Sequence, residues 1–247
     1  MGTIDFLEKN VLVTGASRGI GLAIAEAFSG AGAAVTLLAE TDEVVAAAQG
    51  LGRAVVCDVT DPAAVAALDV GPLDALINNA GLERETRLDD PDAEPLFAKL
   101  MDINVTGMFR ITQKVLPALK DGGAIVNTAS VWGRHAPAGF SAYAASKHAV
   151  IGLTRSWSRE LAPRRIRVNA VCPGWVGTDA ALVSLRVMAE RRGLPQEVVR
   201  AEIEAMQDIP GLMAPPDVAS LYLFLASDLA ANITGQSVNV DRGEYQA

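Results

Sequence analysis

A tyrosine and a lysine four residues apart could do acid–base chemistry from one face of a helix. Tyr143 and Lys147 lie in the segment SAYAASKHAV, and side chains at positions i and i+4 of a helix are neighbours. A free tyrosine, with a pKa of about 10, is a poor base at neutral pH. A lysine ammonium beside it favours the phenolate, so Tyr143 could exchange a proton with a substrate. Ser130 ends an apolar strand predicted over 124–129 and could stabilise charge on the substrate oxygen.

The spacing of Tyr143 and Lys147 has a second interpretation. An exposed helix pair, in which the lysine stem packs along the surface and the ammonium stays in water, has the same sequence pattern. Ser130 at the end of the preceding strand favours the chemical interpretation, because ligands bind beyond the carboxyl ends of strands in an open parallel sheet.

A glycine-rich turn upstream indicates a site for a phosphorylated ligand. The segment TGASRGIG, residues 14–21, follows an apolar strand over 11–13 and opens a helix predicted to run to Phe28. Glycines permit a tight turn and a close backbone approach, and the helix N-terminus offers free N–H groups to a pyrophosphate. The spacing is G-x-x-x-G-x-G, not G-x-G-x-x-G. Without the flanking strand and helix, it would equally fit a simple tight connection.

The elements that must position these residues alternate along the chain. Apolar runs typical of buried parallel strands are separated by Ala-rich segments of helical period, including helices predicted over 96–119 and 141–161, and a last strand is predicted near QSVNVD. This pattern predicts an α/β fold, a Rossmann-like doubly wound parallel sheet of about seven strands with helices on both faces. We expect one domain over 1–247, with a helical substrate lid inserted at 179–213.

Composition excludes several classes of protein. The net charge of -8 over 247 residues and the pI near 4.8 argue against nucleic acid as a partner. The two cysteines form no CxxC pattern, and no cluster has the spacing of metal ligands. No segment has the length and apolar character of a leader or membrane span. We therefore expect a cytoplasmic protein that contacts no membrane and holds no metal.

An ordered set of motifs resembles the short-chain dehydrogenase/reductase family over nearly the whole chain. The set comprises TGASRGIG, CDVT at 57–60, NNAG at 78–81, NVTG at 104–107, the Tyr143 and Lys147 pair, PGWVGT at 173–178 and ITGQSVNVDRG at 233–243. Two positions depart from the family pattern. Phe97 replaces a common Trp, and Arg242 stands where a Gly is usual.

The resemblance implies a role for each matching residue. Ser130, Tyr143 and Lys147 would be catalytic with the nicotinamide of NAD or NADP as hydride carrier, and Asn104 would hold a water beside the lysine. Lys147 would also grip the nicotinamide ribose. The implied cofactor contacts are Gly15, Ser17, Arg18, Gly19, Ile20, Gly21, Glu40, Asp58, Val59, Asn79, Ala80, Gly81, Tyr143, Lys147, Pro173, Gly174, Val176 and Thr178.

The choice between NAD and NADP depends on the end of the second strand, where an acidic side chain binds the ribose 2′-OH and a basic one pairs a 2′-phosphate. Ala39 occupies the position of the NAD-type Asp in the family, and Glu40 occupies a position where NADP-type members often have Arg. Glu40 and Asp42 should repel a 2′-phosphate, whereas Arg18 could attract it. We favour NAD, with NADP open. Glu40 and Asp42 could also simply cap the next helix.

The substrate expected from the resemblance is a secondary alcohol or ketone of the sugar, polyol or hydroxy acid type. Candidate contacts are Val131, His135 and Trp175, which border the expected pocket. An NADPH-dependent 3-oxoacyl-type ketoreductase is the alternative enzyme, and a non-catalytic nucleotide-sensing or scaffold protein is the alternative outside enzymes. The resemblance also implies a homotetramer.

Overall fold

A seven-stranded parallel sheet forms the centre of the molecule. The structure, a computed structural model, describes residues 4–246. The strands are β1 (Asn10–Thr14), β2 (Ala34–Ala39), β3 (Gly52–Val56), β4 (Leu73–Asn78), β5 (Leu119–Thr128), β6 (Arg167–Pro173) and β7 (Ser237–Val240). Every neighbouring pair is parallel, in the order β3-β2-β1-β4-β5-β6-β7. The predicted Rossmann-like fold is confirmed.

The strand order reverses between β1 and β4, the switch point at which open α/β sheets bind ligands. The chain leaves β1 toward β2 and β3 on one side, and continues from β4 toward β7 on the other. Crossover connections of the two halves therefore diverge at the carboxyl ends of β1 and β4. The crevice that results lies beside the glycine-rich turn.

Helices cover both faces of the sheet. They are α1 (Gly19–Gly30), α2 (Glu43–Ala47), α3 (Pro62–Ala66), α4 (Ala93–Met101), α5 (Met108–Val115), α6 (Ser141–Glu160), α7 (Asp179–Arg192), α8 (Gln196–Ala205) and α9 (Pro215–Ala226). Apolar side chains of α1, α2 and α9 pack on one face of the sheet, and those of α3, α5 and α6 pack on the other. The alternation of buried strand residues between two faces explains why the strands appear as continuous apolar runs.

The prediction of a single helix over 96–119 is wrong in its interior and at its end. A π-helical turn over Asp102–Gly107 separates α4 from α5, and α5 ends at Val115. Pro117 follows two residues later, and because proline has no backbone N–H it cannot continue the hydrogen bonds of a helix. The next strand begins at Leu119, before the predicted 124, and a register shift between Leu73 and Ala75 of β4 accommodates the extra residues.

The predicted helical insertion at 179–213 is present as α7 and α8. These helices pack over the loops that follow β5 and β6, in a separate apolar cluster that includes Trp132, Phe140, Trp175, Leu185 and Ile203. The two tryptophan rings meet edge to face, with centroids 6.0 Å apart. The insertion therefore sits on the carboxyl edge of the sheet. Within residues 4–246, no helix has both the length and the apolar character that a membrane crossing requires.

Two glycines of α1 predict opposite effects on stability. A Cβ at Gly21 would lie 2.0 Å from the Gly15 carbonyl oxygen, whereas a Cβ at Gly30 would meet nothing within 4 Å. We expect Gly21→Ala to lower the free energy of unfolding by about 2 kcal/mol, as overpacking does. Gly30→Ala should raise it by up to about 1 kcal/mol, because alanine restricts the unfolded chain. Denaturant unfolding measures both, and equal effects of the two variants would contradict the assigned contact.

Candidate active site

The glycine-rich turn between β1 and α1 leaves the start of α1 without a side-chain cap. Gly15 and Gly19 have positive φ angles of 64° and 58°, which residues with a Cβ rarely adopt. Gly21 lies against the backbone of Gly15, so the turn leaves no space for a side chain at position 21. No side chain caps the first turn of α1, and that turn contains no acidic residue. Its N–H groups and dipole therefore fit a pyrophosphate.

Hydrogen bonds join the carboxyl ends of β1 and β4. The backbone N–H groups of Asn79 and Ala80 both donate to the Thr14 hydroxyl at 3.0 Å. The Asn79 side-chain amide donates to the carbonyl oxygens of Thr14 and Gly15 at 3.2 Å. These contacts fix the two edges of the crevice relative to each other. Sequence analysis assigned Asn79 and Ala80 to the cofactor, and the structure places them beside its expected phosphate turn.

Asn104 lies in the π-helical turn, which brings its side chain to the loop after β4. Its Oδ1 accepts from the Leu82 N–H at 2.7 Å, and its Nδ2 donates to the Leu82 carbonyl at 2.9 Å and to the Ser146 hydroxyl at 2.9 Å. Asn104 therefore clamps the backbone of residue 82 and ties it to α6. A π turn inside a helix often marks a functional position, because it redirects a side chain at the cost of regular hydrogen bonding.

Lys147 of α6 is a buried cation, 3% exposed. Its Nζ donates to the Thr128 carbonyl at the end of β5, at 2.8 Å, and lies 5.5 Å from the centroid of the Tyr143 ring. Burial lowers the pKa of Lys147 to about 8. The ammonium therefore remains charged at neutral pH. A Cβ at Gly81 would lie 3.5 Å from this Nζ, so the glycine leaves space around the charge.

Tyr143 and Ser130 meet at the carboxyl edge of the sheet. Burial raises the pKa of Tyr143, nearby Glu83 raises it further, and a hydrogen bond with Ser130 lowers it in part. The Ser130 hydroxyl oxygen also accepts from the Trp132 N–H at 3.1 Å, which fixes its position. The side chains of this chain therefore keep Tyr143 a phenol at neutral pH. In the protein alone, burial and Glu83 outweigh the effect that the Lys147 ammonium is expected to have on this pKa.

A cavity of about 540 Å³ opens beside these groups. It lies at the carboxyl ends of β5 and β6 and beneath the first turn of α7. Its lining residues are Ile20, Glu83, Thr128, Ala129, Ser130, Val131, Trp132, Tyr143, Pro173, Gly174, Trp175, Val176, Thr178 and Ala181. Of the predicted substrate contacts, Val131 and Trp175 line it. This volume includes space that is open to solvent.

The adenosine end of the expected cofactor site is exposed and acidic. Glu40 follows β2 and Asp58 follows β3, and both are exposed. The Asp58 carboxylate accepts hydrogen bonds of 2.8 Å from the N–H and from the hydroxyl of Thr60. Val59 is buried beside them. Arg18 pairs with Glu43, with Nη1 and Oε2 3.3 Å apart. The guanidinium that could attract a 2′-phosphate is thus already paired with a carboxylate.

His135, a predicted substrate contact, lies outside the lining of this cavity. Its ring stacks on Tyr245, with centroids 5.0 Å apart and planes at 18°. Burial lowers its pKa. The position follows from a contact with the C-terminal segment, which no local sequence pattern shows. Across the described part of the chain, no group of three His, Cys, Asp or Glu side chains is arranged to hold a metal ion.

Glu83 is a cavity residue that sequence analysis did not single out. It lies two residues beyond Gly81, in the loop that follows β4. Burial raises its pKa, and a hydrogen bond from the Ser184 hydroxyl of α7 lowers it in part. Its neighbour in the same loop, Glu85, pairs with Arg191 at the end of α7. An acidic residue just after the carboxyl end of a central strand was the available signal.

Comparisons with known proteins agree with this geometry. A family model described as enoyl-(acyl carrier protein) reductase matches residues 15–244. D-beta-hydroxybutyrate dehydrogenase of Cupriavidus necator is 34% identical over 251 residues, which cover 95% of this chain and 97% of that protein. The chain belongs to the short-chain dehydrogenase/reductase family.

Two further short-chain dehydrogenases/reductases show how broad the similarity is. The 3-oxoacyl-(acyl-carrier-protein) reductase of Thermotoga maritima is 37% identical over 252 residues, 95% of this chain and 97% of that protein. The ligand-free aldohexose dehydrogenase of Thermoplasma acidophilum superimposes with a TM-score of 0.86 at 33% identity, over 98% of this chain and 96% of that one. The chain is therefore an oxidoreductase that acts on hydroxyl or keto groups.

The burial of Lys147 predicts a pH-dependent cost to stability. Its folded pKa of about 8 lies below the ordinary 10.5, so the unfolded chain holds the proton more tightly. The penalty is complete below the folded value and disappears as pH rises to the unfolded one. The difference between the two pKa values costs the folded state about 1.4 kcal/mol per pKa unit. Lys147→Met removes this penalty but also loses the hydrogen bond to Thr128, worth about 1 kcal/mol. The variant should therefore be more stable by about 2 kcal/mol at neutral pH.

Denaturant unfolding at neutral pH and near pH 10.5, without cofactor, tests this expectation. The gain from Lys147→Met should disappear at the higher pH, where the folded lysine is almost entirely neutral and the unfolded lysine is about half neutral. Lys99→Met is the matched control, because Lys99 is exposed on α4. A destabilised Lys147→Met protein at neutral pH would show that the ammonium contributes net stability.

Proposed function

We propose that the protein is an NAD-dependent dehydrogenase of a secondary alcohol, with Tyr143 as general acid and base. The supporting observation is that the Tyr143 and Ser130 side chains line one cavity at the carboxyl ends of β5 and β6, with the buried Lys147 ammonium 5.5 Å from the centroid of the Tyr143 ring. When bound, the nicotinamide supplies the hydride acceptor or donor and, in its oxidised form, a positive charge beside the phenol.

The residues of this chain would then handle the oxygen and the proton. Ser130 donates a hydrogen bond to the substrate oxygen and stabilises negative charge on it. Tyr143 removes the hydroxyl proton in oxidation or returns one in reduction. Lys147, still charged at neutral pH, favours the phenolate electrostatically and binds the ribose hydroxyls. Asn104 fixes the loop after β4 and, as the resemblance implies, holds a water beside Lys147.

The cofactor site fits a dinucleotide without a 2′-phosphate. Gly15, Gly19 and Gly21 give a pyrophosphate access to the start of α1. At the ribose end, the Glu40 carboxylate can accept a hydrogen bond from the ribose 2′-OH but would repel a 2′-phosphate. Arg18, which could attract that phosphate, forms an ion pair with Glu43. The Thr178 hydroxyl caps α7 through the Ala181 N–H at 3.2 Å, and Thr178 lines the cavity, where the nicotinamide carboxamide is proposed to bind.

The 3-oxoacyl-type ketoreductase is the second candidate, since the Thermotoga maritima relative carries that name. It would require preference for NADPH, and the acidic ribose end disfavours it. We further propose a homotetramer, for which exposed Phe97 and Phe109 offer apolar surface, 42% and 44% exposed, on the helices around Asn104. A cytoplasmic location fits the two free, buried cysteines.

Removing the Tyr143 hydroxyl should abolish turnover but not cofactor binding. We expect Tyr143→Phe to lower kcat by about 10²–10⁴-fold, the usual contribution of a general acid or base, with an unchanged Kd for NADH. Reduced nicotinamide absorbance measures the rate, and calorimetric titration measures the Kd. Tyr245→Phe is the matched control, since that side chain lies outside the cavity lining. Activity retained by Tyr143→Phe would eliminate the mechanism.

Cofactor preference should follow the charges near Glu40. Calorimetric titration with NAD, NADH, NADP and NADPH should show tighter binding of the unphosphorylated pair, by about tenfold or more, or 1.4 kcal/mol. Glu40→Arg should reverse this preference. Glu43→Gln should reduce the difference in Kd between the two pairs of cofactors, because it frees Arg18. Glu26→Gln, an exposed change on α1, is the control. Tighter binding of NADPH by the unmodified protein would favour the ketoreductase instead.

A further inference from the structure

We propose that Glu83 selects the substrate: its carboxyl group binds a hydroxyl next to the reacting carbon of a neutral polyol or sugar. This inference rests on the proposed function, because it takes Ser130 and Tyr143 as the groups that hold the reacting oxygen. It goes further by assigning a substrate class and the residue that recognises it.

The position of Glu83 is fixed by its surroundings. The residue before it, Leu82, is held at both its N–H and its carbonyl by the Asn104 side chain. The Ser184 hydroxyl of α7 lies near the carboxyl group and offsets part of the rise in its pKa that burial causes. The loop backbone is thus held from the sheet, and the carboxyl group faces the inserted helices. Such preorganisation makes a side chain selective, since little freedom is lost when the ligand binds.

One oxygen of this carboxyl group has no partner in the protein. Oε1 of Glu83 is buried, and no donor of the described residues hydrogen-bonds it. A buried acceptor without a donor costs free energy, and a ligand hydroxyl would supply the missing donor. The carboxyl also lies close enough to Tyr143 to act electrostatically on its phenol. A hydroxyl bound at Glu83 and a reacting oxygen bound at Ser130 and Tyr143 can therefore belong to one small molecule.

The cavity offers nothing to a negatively charged substrate. Of the described residues that line it, none is basic. Two arginines of the flanking segments have other partners: Arg134 donates to the Ser237 carbonyl, and Arg191 of α7 pairs with Glu85. Arg84 and Lys147 act on the charge of Glu83 from outside the lining. A hydroxy acid would have to bury its carboxylate beside Glu83 with no cation in the lining, which costs desolvation and repulsion. Among the alcohol classes open to this family, the structure therefore favours neutral compounds with adjacent hydroxyls.

The test compares kcat/KM for three classes of alcohol with NAD. The panel contains neutral aldohexoses and hexitols, the hydroxy acid 3-hydroxybutyrate, and 2-butanol, which has a single hydroxyl. We expect the neutral polyhydroxyl compounds to exceed 3-hydroxybutyrate by at least about tenfold. Glu83→Leu should lower kcat/KM for them by about 10–100-fold relative to 2-butanol, as losing a buried hydrogen-bond partner does. Glu83→Gln, which keeps an acceptor oxygen, should restore part of the difference.

Glu85→Gln is the matched control, because Glu85 lies in the same loop but outside the cavity lining. Glu85→Gln should leave the ratio of kcat/KM for polyhydroxyl compounds to kcat/KM for 2-butanol unchanged, even if it changes both values by the same factor. A preference for 3-hydroxybutyrate, or an equal effect of Glu83→Leu on every substrate, would overturn the role of Glu83 and leave the dehydrogenase proposal intact. No turnover of any class with NAD or NADP would overturn the proposed function, and this inference with it.

Discussion

Burial of the Lys147 ammonium is the constraint on which the site depends. A charge removed from water must find acceptors and space within the fold. The Thr128 carbonyl provides an acceptor at the end of β5, and Gly81 provides space because it carries no side chain. The long helix α6 supplies the rigid support, and its Ser146 also accepts a hydrogen bond from Asn104. The large apolar core on both faces of the sheet offsets the cost of this arrangement.

Much of the architecture was predictable because buried parallel strands leave a strong sequence signal. Their apolar runs, the helical period between them and the position of Ser130 at a strand end placed the site at the correct edge of the sheet. The π-helical turn at Asn104 was not predictable. Its last residue, Gly107, packs against Val59, which is distant in sequence, and the helix propensity of the residues themselves does not indicate such a contact. The early start of β5 depends likewise on pairing with Leu73.

The two sides of the cavity differ in how far sequence could describe them. Motif residues follow local geometry: Tyr143 and Lys147 share one face of α6, and Gly15 takes the positive φ of a tight turn. Glu83 gave only a weak signal, its place after the end of β4, because an acidic residue in a loop is usually solvated. The position of its carboxyl group near Ser184 of α7 depends on how the inserted helices pack over this loop. His135 was similarly redirected by stacking on Tyr245, a contact between segments far apart in the chain.

The contact between Gly21 and Gly15 also limits how this protein can change over evolutionary time. The smallest possible replacement of Gly21 already places a carbon 2.0 Å from an oxygen, so no gradual series of variants leads away from glycine there. Side chains such as Glu83 and Val131 face a cavity, where size and polarity can drift in small steps without disturbing the sheet. A lineage built on this fold can therefore inherit one nucleotide turn unchanged while its descendants diverge in the alcohols they accept.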